Sequence, residues 1–215
     1  MKKITIVLFS VFFILSINTK VQAQLISIGV GGGLTQVLDP DIYTNDIPDG
    51  LGFSSEYNFG VIGKIGLPII PITPRAFILY HSFSSSSDLP PTLEKTTNTL
   101  STSVEFSHSI LSFGLGVQYG FIPVPAGFDP YLSLDITMNN FGDFSSIVNG
   151  SENITTDGFS RFGLQLGLGT EVNIIPLINL DIFAGYNWFN LTGKEDGEET
   201  ITAFVLDLFL MFNFL

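Results

Sequence analysis

The sequence predicts an all-β fold, in which eight antiparallel strands follow an N-terminal leader and close as an up-and-down barrel. Three observations predict it. Apolar and polar residues alternate with period two in eight separate segments. The connections between those segments alternate strictly between long and short. The final stretch, Ile201 to Leu215, has one face that is apolar almost throughout.

That final stretch organises the rest. One parity carries Phe204, Leu206, Leu208, Leu210, Phe212 and Phe214, broken only by Thr202; the other mixes Ala203, Val205, Asp207, Phe209, Met211, Asn213 and Leu215. A strand places successive side chains on opposite faces, so this reads as a strand with one greasy wall and one mixed wall. A helix would scatter Asp207 and Asn213 into the apolar stripe, and the run falls short of the ~20 residues that a spanning helix needs. The strand reaches the last residue, with no later segment to cover its wall.

At the other end, Lys2 and Lys3 precede an apolar run from Ile4 to Ile17 and then Val21-Gln22-Ala23. This is the build of a secretory signal peptide over Met1–Ala23, cut before Gln24. No cysteine is present, so disulfides, thiolate metal sites and a lipoprotein anchor are all excluded. Cleavage removes three of the 8 basic residues and none of the 20 acidic ones, leaving a formal charge of 5 − 20 = −15. That balance argues against nucleic acid as a partner, because phosphate neutralisation needs Lys and Arg. Residues 24–215 suit one domain.

The segments follow in order. Leu25–Thr35 sets Ile26, Ile28, Val30 and Leu34 against Ser27, Gly29, Gly31 and Gly33, and leads to a long polar loop, Gln36–Ser55. Glu56–Leu67 sets Tyr57, Phe59, Val61, Ile65 and Leu67 against Asn58, Gly60, Lys64 and Gly66. A proline-rich turn leads to Arg75–Phe83, whose facing is ambiguous because both parities are apolar. After the serine-led loop Ser84–Ser101, the segment Thr102–Tyr119 changes parity part-way, which predicts a bulge or a change of surroundings near Ser109. Tyr131–Phe141 alternates cleanly, and Gly142–Gly158 reads as a third polar loop. Arg161–Ile174 is the most regular segment; a tight Pro176 turn joins it to Asn179–Leu191, and an acidic tip, Lys194–Glu199, leads into the last strand.

Two eight-stranded barrels fit this pattern, and they are inside-out relative to one another. A soluble ligand-binding barrel keeps its apolar face inside. A transmembrane barrel turns that face to lipid and fills a narrow lumen with small and polar groups. A solvated face would be rich in Lys and Glu of both signs; here the non-apolar face is Gly, Ser, Thr, Asn and Gln with isolated charges. The pattern therefore predicts a transmembrane β-barrel. Aromatic residues towards strand ends (Tyr57, Phe59, Tyr119, Tyr186, Trp188, Phe212 and Phe214) sit where interfacial girdles belong.

Over Gln24–Leu215 the chain resembles the small eight-stranded outer-membrane barrels of the OmpA/OmpX type, including single-domain Bacteroidetes-type members. The resemblance rests on the architecture and the C-terminal strand. It implies residence in the outer membrane of a Gram-negative bacterium, contact with outer-membrane lipid, assembly by the barrel-assembly machinery through Phe204–Phe214, and a monomer. Members usually end on an aromatic residue, whereas here Phe214 precedes Leu215.

In the expected lumen fall Lys64, Asp135, Arg161, Glu171, Asp181 and Asp207, with Arg75 a further candidate. Buried charges must pair or stay hydrated, so these predict a salt-bridge network, with an ion path as the sharper alternative. A lipid A-modifying enzyme would need a His, a Ser and an acid. The two histidines, His81 and His108, are each followed by Ser (Ser82, Ser109), but strand neighbours point to opposite faces. No catalytic residue, metal site or cofactor is expected: the acidic loops lack calcium-loop spacing, and Gly31-Gly32-Gly33 precedes no helix. The expected role is structural, or surface interaction through long extracellular loops.

Overall fold

The computed structural model describes residues 25–47, 49–53, 55–67, 70–89, 102–121, 128–149, 151–175 and 177–214. The expected leader and its cleavage point, most of the Ser84–Ser101 loop and the turn prolines Pro68, Pro123, Pro125 and Pro176 lie outside these residues.

Among the described residues, ten strands and one short helix follow in chain order: β1 (Leu25–Asp39), α1 (Asp41–Thr44), β2 (Ser55–Gly66), β3 (Ile72–Leu89), β4 (Thr102–Gly120), β5 (Phe128–Phe141), β6 (Phe144–Val148), β7 (Ser151–Thr156), β8 (Phe159–Ile175), β9 (Ile178–Thr192) and β10 (Thr202–Phe214). Eight of the strands form the barrel. Each pairs antiparallel with the next, β10 pairs with β1, and the β3–β4 pairing completes the ring.

The strands are strongly staggered. A hydrogen-bonded row runs from Ser27 through Lys64, Arg75, Gly116, Asp135, Gln165, Asn187 and Ala203, and returns to β1 at Val37. The ring therefore closes ten residues further along β1. With ~3.3 Å rise per residue and ~4.8 Å between strands, this stagger tilts the strands by roughly 40° and gives a backbone radius of about 8 Å. Side chains can fill an interior of that width.

Alternation sorts the residues. On β10, Ala203, Val205, Asp207, Phe209 and Met211 face inward and are no more than 2% exposed. Phe204, Leu206, Leu208, Leu210, Phe212 and Phe214 face outward and are exposed. The same apolar outer wall continues through Ile26, Ile28 and Val30 of β1, Leu134 and Ile136 of β5, and Leu166 and Leu168 of β8. A continuous exposed apolar belt of this kind suits a lipid surround, and closure of the sheet removes the open backbone edges that lipid forbids. The glycines of β1 let its backbone lie close to β10: a Cβ on Gly33 would stand 1.8 Å from the Leu206 carbonyl oxygen.

Several expectations change. The Gly142–Gly158 segment is a hairpin, β6–β7, whose first strand pairs with β4 over Val104–Ser107. Residues Ser84–Leu89 continue β3 instead of starting a loop, and β1 continues to Asp39. The β3–β4 register runs unbroken from Ile72↔Tyr119 to Leu89↔Thr102, so no bulge occurs at Ser109. The surroundings change instead. Even-numbered β4 residues face inward throughout, and beyond Ser112 the interior turns apolar around Ile110 and His108. The ambiguous third strand points Arg75, Phe77, Leu79, His81 and Phe83 inward.

Nor is the lumen polar throughout. Val37, Phe53, Phe83, Ile110, Phe141, Phe189, Ile201 and Ala203 form a buried plug at the end of the barrel that carries the β1–β2 and β9–β10 connections, with Tyr43 and Phe144 packed against it. Further along the lumen, Ile62, Phe77, Leu79, Phe209 and Met211 make a second apolar cluster between the charged groups.

Candidate functional site

The ionisable groups of the lumen fall into three clusters, each assembled from strands that are distant in sequence. Lys64 on β2, level with Ser27 of β1, reaches across to β8 and β9. Its Nζ donates to Glu171 Oε1 at 2.7 Å and to Asp181 Oδ2 at 2.6 Å. Tyr131 donates its hydroxyl to Asp181 Oδ1 at 2.6 Å, and Gln118 Nε2 donates to Glu171 Oε1 at 3.0 Å. The ammonium also lies 4.8 Å from the centre of the Tyr131 ring.

Arg75 on β3 forms the second cluster. Nε donates to Asp135 Oδ1 at 2.7 Å, Nη2 to Oδ2 at 2.6 Å, and Nη2 also to Gln165 Oε1 at 3.3 Å. This is the two-pronged geometry that a planar guanidinium makes and an ammonium cannot. Phe183 covers the guanidinium with its ring centre at 4.7 Å.

The third cluster contains no cation. Asn58 Nδ2 donates to Asp207 Oδ1 at 2.8 Å and to Thr35 Oγ1 at 3.0 Å, and Thr35 Oγ1 lies 2.8 Å from His81 Nδ1. His81 continues into the aromatic plug, edge-on to Phe189, and His108 stacks near Phe83 and Phe141.

Of the expected lumen charges, Lys64, Glu171 and Asp181 meet in one cluster, Asp135 pairs with Arg75, and Asp207 stands without an ion-pair partner among the described residues. Arg161 is separate. It lies at the mouth beside the β9–β10 connection, where Nη2 contacts Glu198 Oε2 at 2.8 Å and Glu195 Oε1 at 3.6 Å. The tilt explains the difference: Arg161 pairs across the sheet with Asn139, which lies four residues up β5 from Asp135. Asn190 completes this rim cluster. It donates to Glu198 Oε1 and to the Glu199 carbonyl, both at 2.8 Å, and accepts from the Ile201 amide at 2.6 Å.

Electrostatics at the mouth follow from these contacts. Partial burial pulls the Glu198 carboxyl up, but hydrogen bonds from Arg161 and Asn190 outweigh it and hold the pKa at about 2. Burial, reinforced by the negative charge of Glu198, pushes the Tyr43 phenol up to about 12.

Sequence reasoning passed over Thr35, Asn58, Gln118, Tyr131 and Gln165. All lie on the non-apolar parity of their strands, which was the available signal, but amides and hydroxyls of that kind recur along every strand. The histidines and serines do not meet as a catalytic pair. His81 bonds Thr35, while Ser82 pairs with Ser109 on the neighbouring strand and points the other way. Space inside is small. A cavity of about 10 Å³ lies among Arg75, Gln165, Asp181, Phe183, Asp207 and their apolar neighbours, at the margin of what one water needs.

An eight-stranded antiparallel barrel with an apolar outer belt and ion pairs across a filled core defines a small integral outer-membrane protein. The chain belongs to the outer membrane protein beta-barrel domain family, whose model matches residues 7–212. The protein is thus a component of the bacterial outer membrane. Its fold is similar to that of a major outer membrane protein from Thermus thermophilus, at 14% identity and a TM-score of 0.55, covering 90% of this chain and 100% of that one. It is also similar to Neisserial surface protein A (NspA), at 14% identity and a TM-score of 0.50, covering 89% and 96%. No curated protein sequence matches the chain.

Proposed function

We propose that the protein is a non-enzymatic surface-interaction barrel that presents a rigid sheet above the outer leaflet. One observation carries this reading. Pairing of β2 with β3 ends at Asn58↔His81 and pairing of β4 with β5 ends at Ile110↔Phe141, yet β3 and β4 stay paired to Leu89↔Thr102. Eight residues of β3, roughly 26 Å of strand, thus run past the barrel rim. Alongside them β4 takes β6 as its new neighbour, and β6 takes β7.

A projecting sheet costs the barrel nothing in closure and offers strand edges to which an extended segment of another protein can add. The acidic balance of the chain favours a neutral or basic partner over an anionic one. The lumen acts as a brace for this projection, because its aromatic plug ties the first long connection, through Phe53, to β3 and β6. We read the barrel as a monomer in outer-membrane lipid, with β10 as the strand that the assembly machinery engages before it closes on β1.

The test is replacement of Phe144–Thr156 by a short Gly-Ser turn in cells that display the protein. The barrel should still insert and resist extraction, while capture of surface or secreted proteins by intact cells should be lost. Unchanged capture would end the projecting-sheet reading. A lipid A-modifying activity would show instead as a change in lipid A that His81→Ala or His108→Ala abolishes.

A further inference from the structure

One small cavity is lined by members of all three polar clusters: Asp181, Arg75 with Gln165, and Asp207. Asp207 and Gln165 both line it, and each is 1% exposed. Each also has one polar atom engaged and one free. Asp207 Oδ1 accepts from Asn58 while Oδ2 makes no hydrogen bond among the described residues; Gln165 Oε1 accepts from Arg75 while Nε2 makes none. A third wall is Asp181, whose two oxygens each take one hydrogen bond and so keep accepting capacity.

We propose that this cavity is a binding site for a single water molecule that bridges Gln165, Asp207 and Asp181, joining the three clusters into one network. The donors and acceptors match: the water accepts from Gln165 Nε2–H and donates one hydrogen to Asp207 Oδ2 and one to Asp181. Other occupants fit worse. A metal cation would meet the Arg75 guanidinium and an amide presenting N–H, and an anion would meet two carboxylates. The volume, about 10 Å³, admits nothing larger. Leaving a buried carboxylate oxygen and a buried amide both unpaired is costly, whereas an ordered water satisfies them at little entropic cost.

The experiment uses the full barrel, isotope-labelled and refolded in detergent micelles. Magnetisation transfer from a long-lived water to the side-chain NH2 of Gln165 should appear in the wild type and vanish in Leu79→Phe, which fills the cavity from a wall residue carrying no polar group. Absence of transfer in the wild type overturns the proposal, and so does transfer that persists in Leu79→Phe. A double-mutant cycle gives a second reading in lipid vesicles. Gln165 and Asp207 make no bond to one another, so a shared water makes the Tm loss of Gln165→Leu with Asp207→Asn smaller than the sum of the two single losses. Fully additive losses would also overturn it.

Discussion

Arg75 and Asp135 flank Gly116 in one hydrogen-bonded row and meet over it as a closed, two-pronged ion pair, both side chains within 2% of complete burial. The pair has one cation and one acid, whereas Lys64 serves two acids. That difference sets the order of the stability predictions.

Asp135→Asn should be among the most damaging lumen substitutions, because it strands a buried guanidinium that no second carboxylate reaches. Breaking a buried pair from one side costs about 3–5 kcal/mol. Unfolding by urea in lipid vesicles should show this, and Arg75→Lys should recover little of an Arg75→Ala loss, since an ammonium makes only one of the two prongs. A small effect of Asp135→Asn would show that water reaches the pair.

Lys64→Met should destabilise the barrel more than Arg161→Ala. Loss of Lys64 leaves Glu171 and Asp181 facing each other in the interior, while loss of Arg161 leaves Glu198 and Glu195 at a mouth open to water. The same unfolding assay ranks them, and a reversed order would count against the buried cluster.

The outer and inner faces can be told apart by one pair of neighbours. Leu166→Arg puts a charge on the lipid wall and should cost about 2–4 kcal/mol in a bilayer if it lies near the midplane. Gly167→Arg should fail for another reason: even a Cβ there would lie 2.2 Å from the Phe183 ring. Leu166→Arg should therefore fold better in a detergent that lets the arginine reach water, and Gly167→Arg should not.

The rim latch should be acid-sensitive. Glu198 titrates at about 2 in the folded protein against an ordinary 4.5. A depressed carboxyl contributes stability that is fully present above 4.5 and lost as pH falls towards 2. The protection factor of the Ile201 amide, held by Asn190, should fall over that window in the wild type, as hydrogen exchange corrected for the intrinsic rate at each pH would show. In Glu198→Gln that protection should be low already at neutral pH and change little on acidification.

The barrel itself was legible because its signals are local. Each outward residue must be apolar on its own account in lipid, so period two survives in the sequence of β10, β8 and β5 without reference to any other strand. The C-terminal wall and the count of eight barrel strands follow from that. The projecting hairpin was hidden, because Phe144–Thr156 is short, serine-rich and polar, and becomes strand only by pairing with β4.

The charge pairs were beyond the sequence for a geometric reason. Parity puts Arg161 and Asp207 on the inward face and leaves Arg75 open, but it says nothing of height along the barrel. Height is set by the stagger that carries the row from Ser27 to Val37 around the ring, a property of all eight strands together. The registers of the paired strands set Arg75 and Asp135 on either side of Gly116, lift Arg161 to the mouth, and bring Asp207 to Asn58, 149 residues away in the chain. Alternation decided which side chains enter the lumen, and only closure of the tilted sheet decided which of them meet.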